Sequence, residues 1–133
     1  MKKSISSGLK TTFLVHAIVG IVLGLAHLLI PESVGNLLGW DMADPVYRLA
    51  GAAVIAFGVS SWLAYQADAW EKIKIVVQAE LVWAGLGALA ILWGLLDGAL
   101  PPAAWLNCVM LAGFAAAFGY FYTRPDAAVS LST

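Results

Sequence analysis

Four apolar runs, each about twenty residues long, make up most of this 133-residue chain and constrain its fold more than any other feature. A helix rises about 1.5 Å per residue, so about 20 apolar residues cross a hydrocarbon core of about 30 Å. Each run therefore matches one membrane crossing. The first extends over 11–30, bounded by Lys10 and Pro31, and the second over 46–65, opened by Pro45 and closed by Gln66-Ala67-Asp68. The third covers 73–96 and stops before Asp97-Gly98; the fourth covers 101–122, from Pro101-Pro102 to the residues before Arg124-Pro125. Proline suits a first helical turn, where its missing N–H has no partner to lose. The run beginning at Phe13 is longer than the apolar stretch of a usual signal peptide, so we read it as a retained span despite Lys2 and Lys3 before it.

Composition agrees with that reading. The chain is 62% hydrophobic and 11% charged, against about 25% charged residues in ordinary soluble domains. Its length allows a single membrane domain over 1–133, and a net charge of −1 gives no reason to expect nucleic acid as a partner. The single cysteine, Cys108, excludes an internal disulfide and any CxxC redox or zinc motif, and it reads as a small packing residue. No HExxH, nucleophile elbow, phosphate loop or paired metal carboxylates occur, so no metal site and no catalytic residue is expected.

Orientation follows from the cations. With four spans, Lys2, Lys3, Lys10, Lys72, Lys74 and Arg124 share one side and only Arg48 lies on the other, which predicts that both termini are cytoplasmic and that the host is the inner membrane. Trp40, Tyr47, Trp93 and Trp105 fall near the outer interface, and Trp62, Tyr65, Trp70, Tyr120 and Tyr122 near the inner one. The linker from Pro31 to Pro45 carries Val34, Leu37, Leu38 and Trp40 among polar residues, and predicts a short interfacial helix over 33–38 ended by Gly39. The other two linkers are short. The expected fold is all-α: an antiparallel bundle of four transmembrane helices with one short interfacial helix between spans one and two.

Glu80 is the one formal charge well inside an apolar run. Insertion scales put a carboxylate in hydrocarbon at about 2.5–3.5 kcal/mol, so it requires a partner, a proton or a function. At 100° per residue, span one carries His16, Gly20, Gly24 and His27 on one face; span two carries Arg48, Gly51 and Gly58; span three carries Glu80, Gly87 and Gly94; span four carries Cys108, Ala112, Ala115 and Gly119. The simplest arrangement turns these small-residue faces toward one another. His16 and Glu80 then lie at similar depth, about 8–10 Å from the cytoplasmic end. They form a candidate polar intramembrane site, with Gln78, Trp83, Ser60, Ser61 and Tyr120 as further donors. His27 and Arg48 form a second polar cluster at the outer end, near Glu32, Asp97 and Asn107. Glu80 has two readings, a proton or cation relay and a structural carboxyl bonded to a neighbouring helix; the glycines serve either the bundle or an oligomer interface.

The pattern Gly39-Trp40, Asp44-Pro45 and then Arg48-Leu49-Ala50-Gly51-Ala52 followed by Gly58 resembles the DoxX-like group of small four-helix membrane proteins. The likeness spans 11–123 in architecture and one short motif in residues. It implies that Arg48, Gly51 and Gly58 are bundle residues, and some members of that group look like accessory membrane subunits of redox systems. Taken together, these features predict an accessory or scaffold protein, either a homo-oligomer or part of a larger membrane complex. The chief alternatives are a small proton-coupled transporter or channel using Glu80 with His16, and a subunit holding haem, quinone or lipid between helices. No cofactor is required by the sequence; a pair of haems would each need a second axial ligand that the two histidines on one helix do not supply, which leaves one five-coordinate haem as the haem option.

Overall fold

The structure is a computed structural model and describes residues 3–42 and 45–131; Lys2 and Asp44, which the sequence reading used, lie outside them. It is 84% helical, with six helices among the described residues. Four of them are long and apolar enough to cross a membrane: α1 (Ser7–Leu29), α3 (Pro45–Gln66), α4 (Trp70–Leu96) and α5 (Ala104–Thr123). Between α1 and α3 lies the short α2 (Pro31–Leu38), and after α5 comes the one-turn α6 (Pro125–Ala128). Large apolar side chains such as Ile18, Val22, Leu63, Ile75, Leu86 and Val109 point outward, more than half exposed. Helices that are apolar all round belong in lipid or in the core of a large protein, and these four have the length and composition of membrane spans.

Helix ends follow local chemistry. Ser6 accepts the Leu9 N–H at 3.3 Å on its hydroxyl, so α1 begins four residues before the expected boundary and takes Lys10 into its first turns. Pro31 and Pro45 open α2 and α3. Gly39 ends α2 with φ 65, a left-handed conformation that costs glycine nothing and other residues about 1–2 kcal/mol. Pro101 and Pro102 fall in the turn before α5, whose first residue is Ala104, because the chain needs that turn to reverse after Gly98.

The long helices pack as two close pairs, α1 with α3 and α4 with α5, and contact between the pairs is sparse. Along the first seam His16 meets Ser61, Gly20 meets Gly58 and Gly24 meets Gly51, so residue numbers rise on α1 as they fall on α3. A methyl on Gly24 would come within 2.8 Å of the Gly51 carbonyl oxygen and the Ile55 nitrogen. The second seam is looser: a methyl on Gly87 would meet only the Leu111 side chain, at 3.2 Å, and one on Gly119 the Leu81 side chain, at 3.5 Å. Gly94 faces Leu100 in the turn. The four small-residue faces therefore do not converge on one interior, as the sequence had suggested. Backbone approach needs only two partners, and each glycine helix satisfies it with one neighbour.

One element was not expected. Lys3–Ile5 (β1) pairs antiparallel with Val129–Leu131 (β2), in register Ser4 to Ser130, and ties the two chain ends together. Beneath the ribbon, Ile5, Leu9, Phe13, Ala64, Trp70, Ile73, Val77, Phe118 and Ala128 form one buried cluster. The end of the molecule that holds the termini is thus closed by packed side chains.

Candidate functional site

Just above that cluster lies a buried polar network built by three helices. Glu80 of α4 is 0% exposed, Ser61 of α3 is 0% exposed and His16 of α1 is 5% exposed. Ser61 donates to Glu80 Oε1 at 2.8 Å, Ser60 shares its one hydroxyl proton between Oε1 at 2.9 Å and the Phe57 carbonyl at 2.8 Å, and His16 Nδ1 lies 2.8 Å from the Ser61 hydroxyl oxygen. Ser61 has one proton. Giving it to the carboxylate leaves its lone pairs to accept from His16 Nδ1–H, which turns the opposite nitrogen, Nε2, toward Glu80 Oε2 at 3.6 Å. Oε2 has no hydrogen-bond partner among the described residues. The arrangement is a ring of three side chains in which a single proton on either Nε2 or Oε2 would leave the pair neutral as a whole. Phe114 and Phe118 hold the imidazole edge-on at 4.5 and 5.6 Å between ring centres, fixing its plane.

His16 and Glu80 are therefore adjacent, and of the further donors named from sequence Ser60 and Ser61 reach the carboxylate. The others do not. Gln78 donates to the Tyr122 hydroxyl at 2.9 Å, Trp83 stacks on Phe57 at 4.7 Å, and Tyr120 is exposed.

At the outer end the structure does not join His27 to Arg48. Arg48 Nη1 donates to the Leu28 carbonyl at 2.6 Å, and His27 Nδ1 lies 2.7 Å from the Leu23 carbonyl. Each makes its bond to the backbone of α1, His27 through Nδ1 and Arg48 through Nη1. Leu28 carries one of the last four carbonyls of that helix, which lack intrahelical partners and sit at the negative end of its dipole, so a guanidinium there closes α1 from α3. Arg48 and Gly51 together fasten the same turn of the seam, since a methyl on Gly51 would lie 2.7 Å from the Leu28 nitrogen.

Between the two helix pairs, from His16 outward, runs a cavity of about 270 Å³. Its walls are Val19, Leu23, Val54, Ile91, Met110 and Leu111, with His16 and Phe114 at the inner end. His27, Trp40, Tyr47 and Asn107 stand at the end away from β1 and β2, and no Lys, Arg, Asp or Glu side chain among the described residues lines it. No protein-family model, curated protein or solved structure matches this chain.

The cavity is what sequence reasoning missed. Its lining takes His16, Gly20, His27 and Gly87 from the stripes and the rest from the faces beside them, and the sparse packing between the helix pairs opens it. One signal was present: Asn107 is the single amide within the otherwise apolar α5. Among the described residues no three His, Cys, Asp or Glu side chains gather as metal ligands. His16, with both ring nitrogens turned to Ser61 and Glu80, is not oriented toward an iron in the cavity.

Proposed function

We propose that this chain is a small inner-membrane accessory protein that holds a small, largely apolar molecule, drawn from the bilayer, in the cavity between its helix pairs. In this reading the four long helices cross the membrane as an antiparallel bundle, α2 lies in the outer interface, and both termini are cytoplasmic, as the cation distribution implies. The cavity carries the reading. At about 270 Å³ it exceeds the roughly 150 Å³ that accommodates benzene and approaches the lower bound of small-molecule sites, about 300 Å³. Apolar walls and a few uncharged polar groups are the usual make-up of such sites. A role within a homo-oligomer or larger membrane complex is part of the same proposal, as is the likeness to DoxX-like proteins, whose expected bundle residues Arg48, Gly51 and Gly58 lie on the α1–α3 seam.

Protein purified in mild detergent and extracted with organic solvent is expected to release one small molecule in near-stoichiometric amount. Val54→Phe, which adds a ring to the cavity wall, should elute at the same size and release several-fold less. Equal recovery from both proteins, in the proportions of bulk lipid, would sink the reading.

A second reading, a proton-coupled carrier, is favoured by one observation: Glu80 Oε2 faces only His16 Nε2, at 3.6 Å. Glu80→Gln keeps the shape and removes the exchangeable charge. In proteoliposomes it should abolish pH-driven flux, and unchanged flux rejects the carrier.

A further inference from the structure

The cavity's outer end has a specific hydrogen-bonding inventory. Tyr47 Oη accepts from Trp40 Nε1 at 3.1 Å, which uses a lone pair and leaves the phenolic proton without an acceptor among the described residues. His27 sits 2.7 Å from the Leu23 carbonyl through Nδ1; a carbonyl only accepts, so Nδ1 carries the proton and, in the neutral ring, Nε2 is left as an acceptor. Asn107 makes no hydrogen bond among the described residues and offers both an N–H₂ and a carbonyl. These three groups come from α3, α1 and α5 and line one cavity. Two donors and two acceptors are thus unspent, and none is charged.

A charged head would enter this space with no counter-ion among the described lining residues and at a cost in dehydration, and a pure hydrocarbon would cover these donors and acceptors without pairing them. A carbonyl or ether accepts but does not donate, and would leave His27 Nε2 unpaired. A hydroxyl does both: it donates to His27 Nε2 and accepts from Tyr47 O–H or the Asn107 amide. We infer that the molecule held here is neutral, ring-sized and apolar in its body, and ends in a hydroxyl group bound between His27, Tyr47 and Asn107. This inference rests on the cavity being a ligand site and deepens that reading by naming the ligand's chemical class.

The test uses the whole chain in lipid nanodiscs, dialysed against empty nanodiscs, with 4-hexylphenol, hexylbenzene and 4-hexylbenzoate as probes. Excess probe per protein is measured by mass spectrometry. The phenol is expected to saturate at one per chain and to bind about tenfold more tightly than hexylbenzene, the size of one to two net hydrogen bonds. Tyr47→Phe and Asn107→Leu should each weaken the phenol by about three- to tenfold and leave hexylbenzene unchanged. Retained hexylbenzene binding shows that each variant is folded. Equal affinity for phenol and hexylbenzene overturns the hydroxyl while leaving the cavity a site. Benzoate binding as tightly as the phenol overturns neutrality. If no probe saturates, the cavity reading itself fails.

Discussion

Gly24→Ala and Gly51→Ala are expected to be the most destabilising single-methyl substitutions within the four long helices. At both positions the added carbon meets backbone: the Gly51 carbonyl oxygen and Ile55 nitrogen at 2.8 Å for Gly24, and the Leu28 nitrogen at 2.7 Å for Gly51. Backbone cannot step aside as a side-chain tip can, so α1 and α3 must separate along several turns. Overpacking of this kind costs about 1–3 kcal/mol, and the upper end applies where backbone is struck. Gly20→Ala, whose methyl would lie 3.1 Å from the Gly58 Cα, should cost less. Gly85 and Gly113 face open space. Alanine there should be neutral or stabilising by up to about 1 kcal/mol, the helix-propensity gain over glycine. Denaturation in mixed micelles ranks the series, and identical midpoints for Gly24→Ala and Gly113→Ala would mean that the seam is not close.

His16→Leu is expected to be more damaging than the seam substitutions, by about 3–5 kcal/mol in all, the range for removing one partner of a buried ion pair. The loss comes from what remains: Glu80, with 0% exposure, keeps Ser61 and the shared Ser60 hydroxyl on Oε1 but has only His16 facing Oε2. The double replacement His16→Leu with Glu80→Leu should be milder than His16→Leu alone, because it removes the stranded carboxyl together with its partner. Ser61→Ala should fall between, at about 1–3 kcal/mol, since one hydroxyl serves both the carboxylate and the imidazole. A double-mutant cycle measures the coupling. Additive losses at His16 and Glu80 would show that the two side chains do not act as a unit.

The long helices were legible because each depends only on the length and apolarity of a local run. Their boundaries moved by a few residues where a cap decided the end, as Ser6 does for α1. The pairing of His16 with Glu80 could be anticipated from depth, a quantity that helix rise makes readable along one segment. Arg48 shows the limit of that reasoning. Depth placed it beside His27, but whether a guanidinium turns to an imidazole or to a backbone carbonyl depends on which helix lies across from it, and Leu28 of α1 does. The pairing of Lys3–Ile5 with Val129–Leu131 joins the two ends of the chain and carries no local signal longer than three residues.

The sequence by itself determined the number of membrane-length helices and the cost that Glu80 imposes, because hydrocarbon thickness and charge solvation act on each segment separately. Only the tertiary structure decided that the glycines form two seams instead of one interior and that Ser60 and Ser61 share Glu80 Oε1. It alone decided that the space between the pairs stays open beside His16, Tyr47 and Asn107. Those outcomes depend on how helices of nearly uniform apolarity rotate against one another, and in lipid that rotation is set by close packing and hydrogen bonds across helices, which no single run encodes.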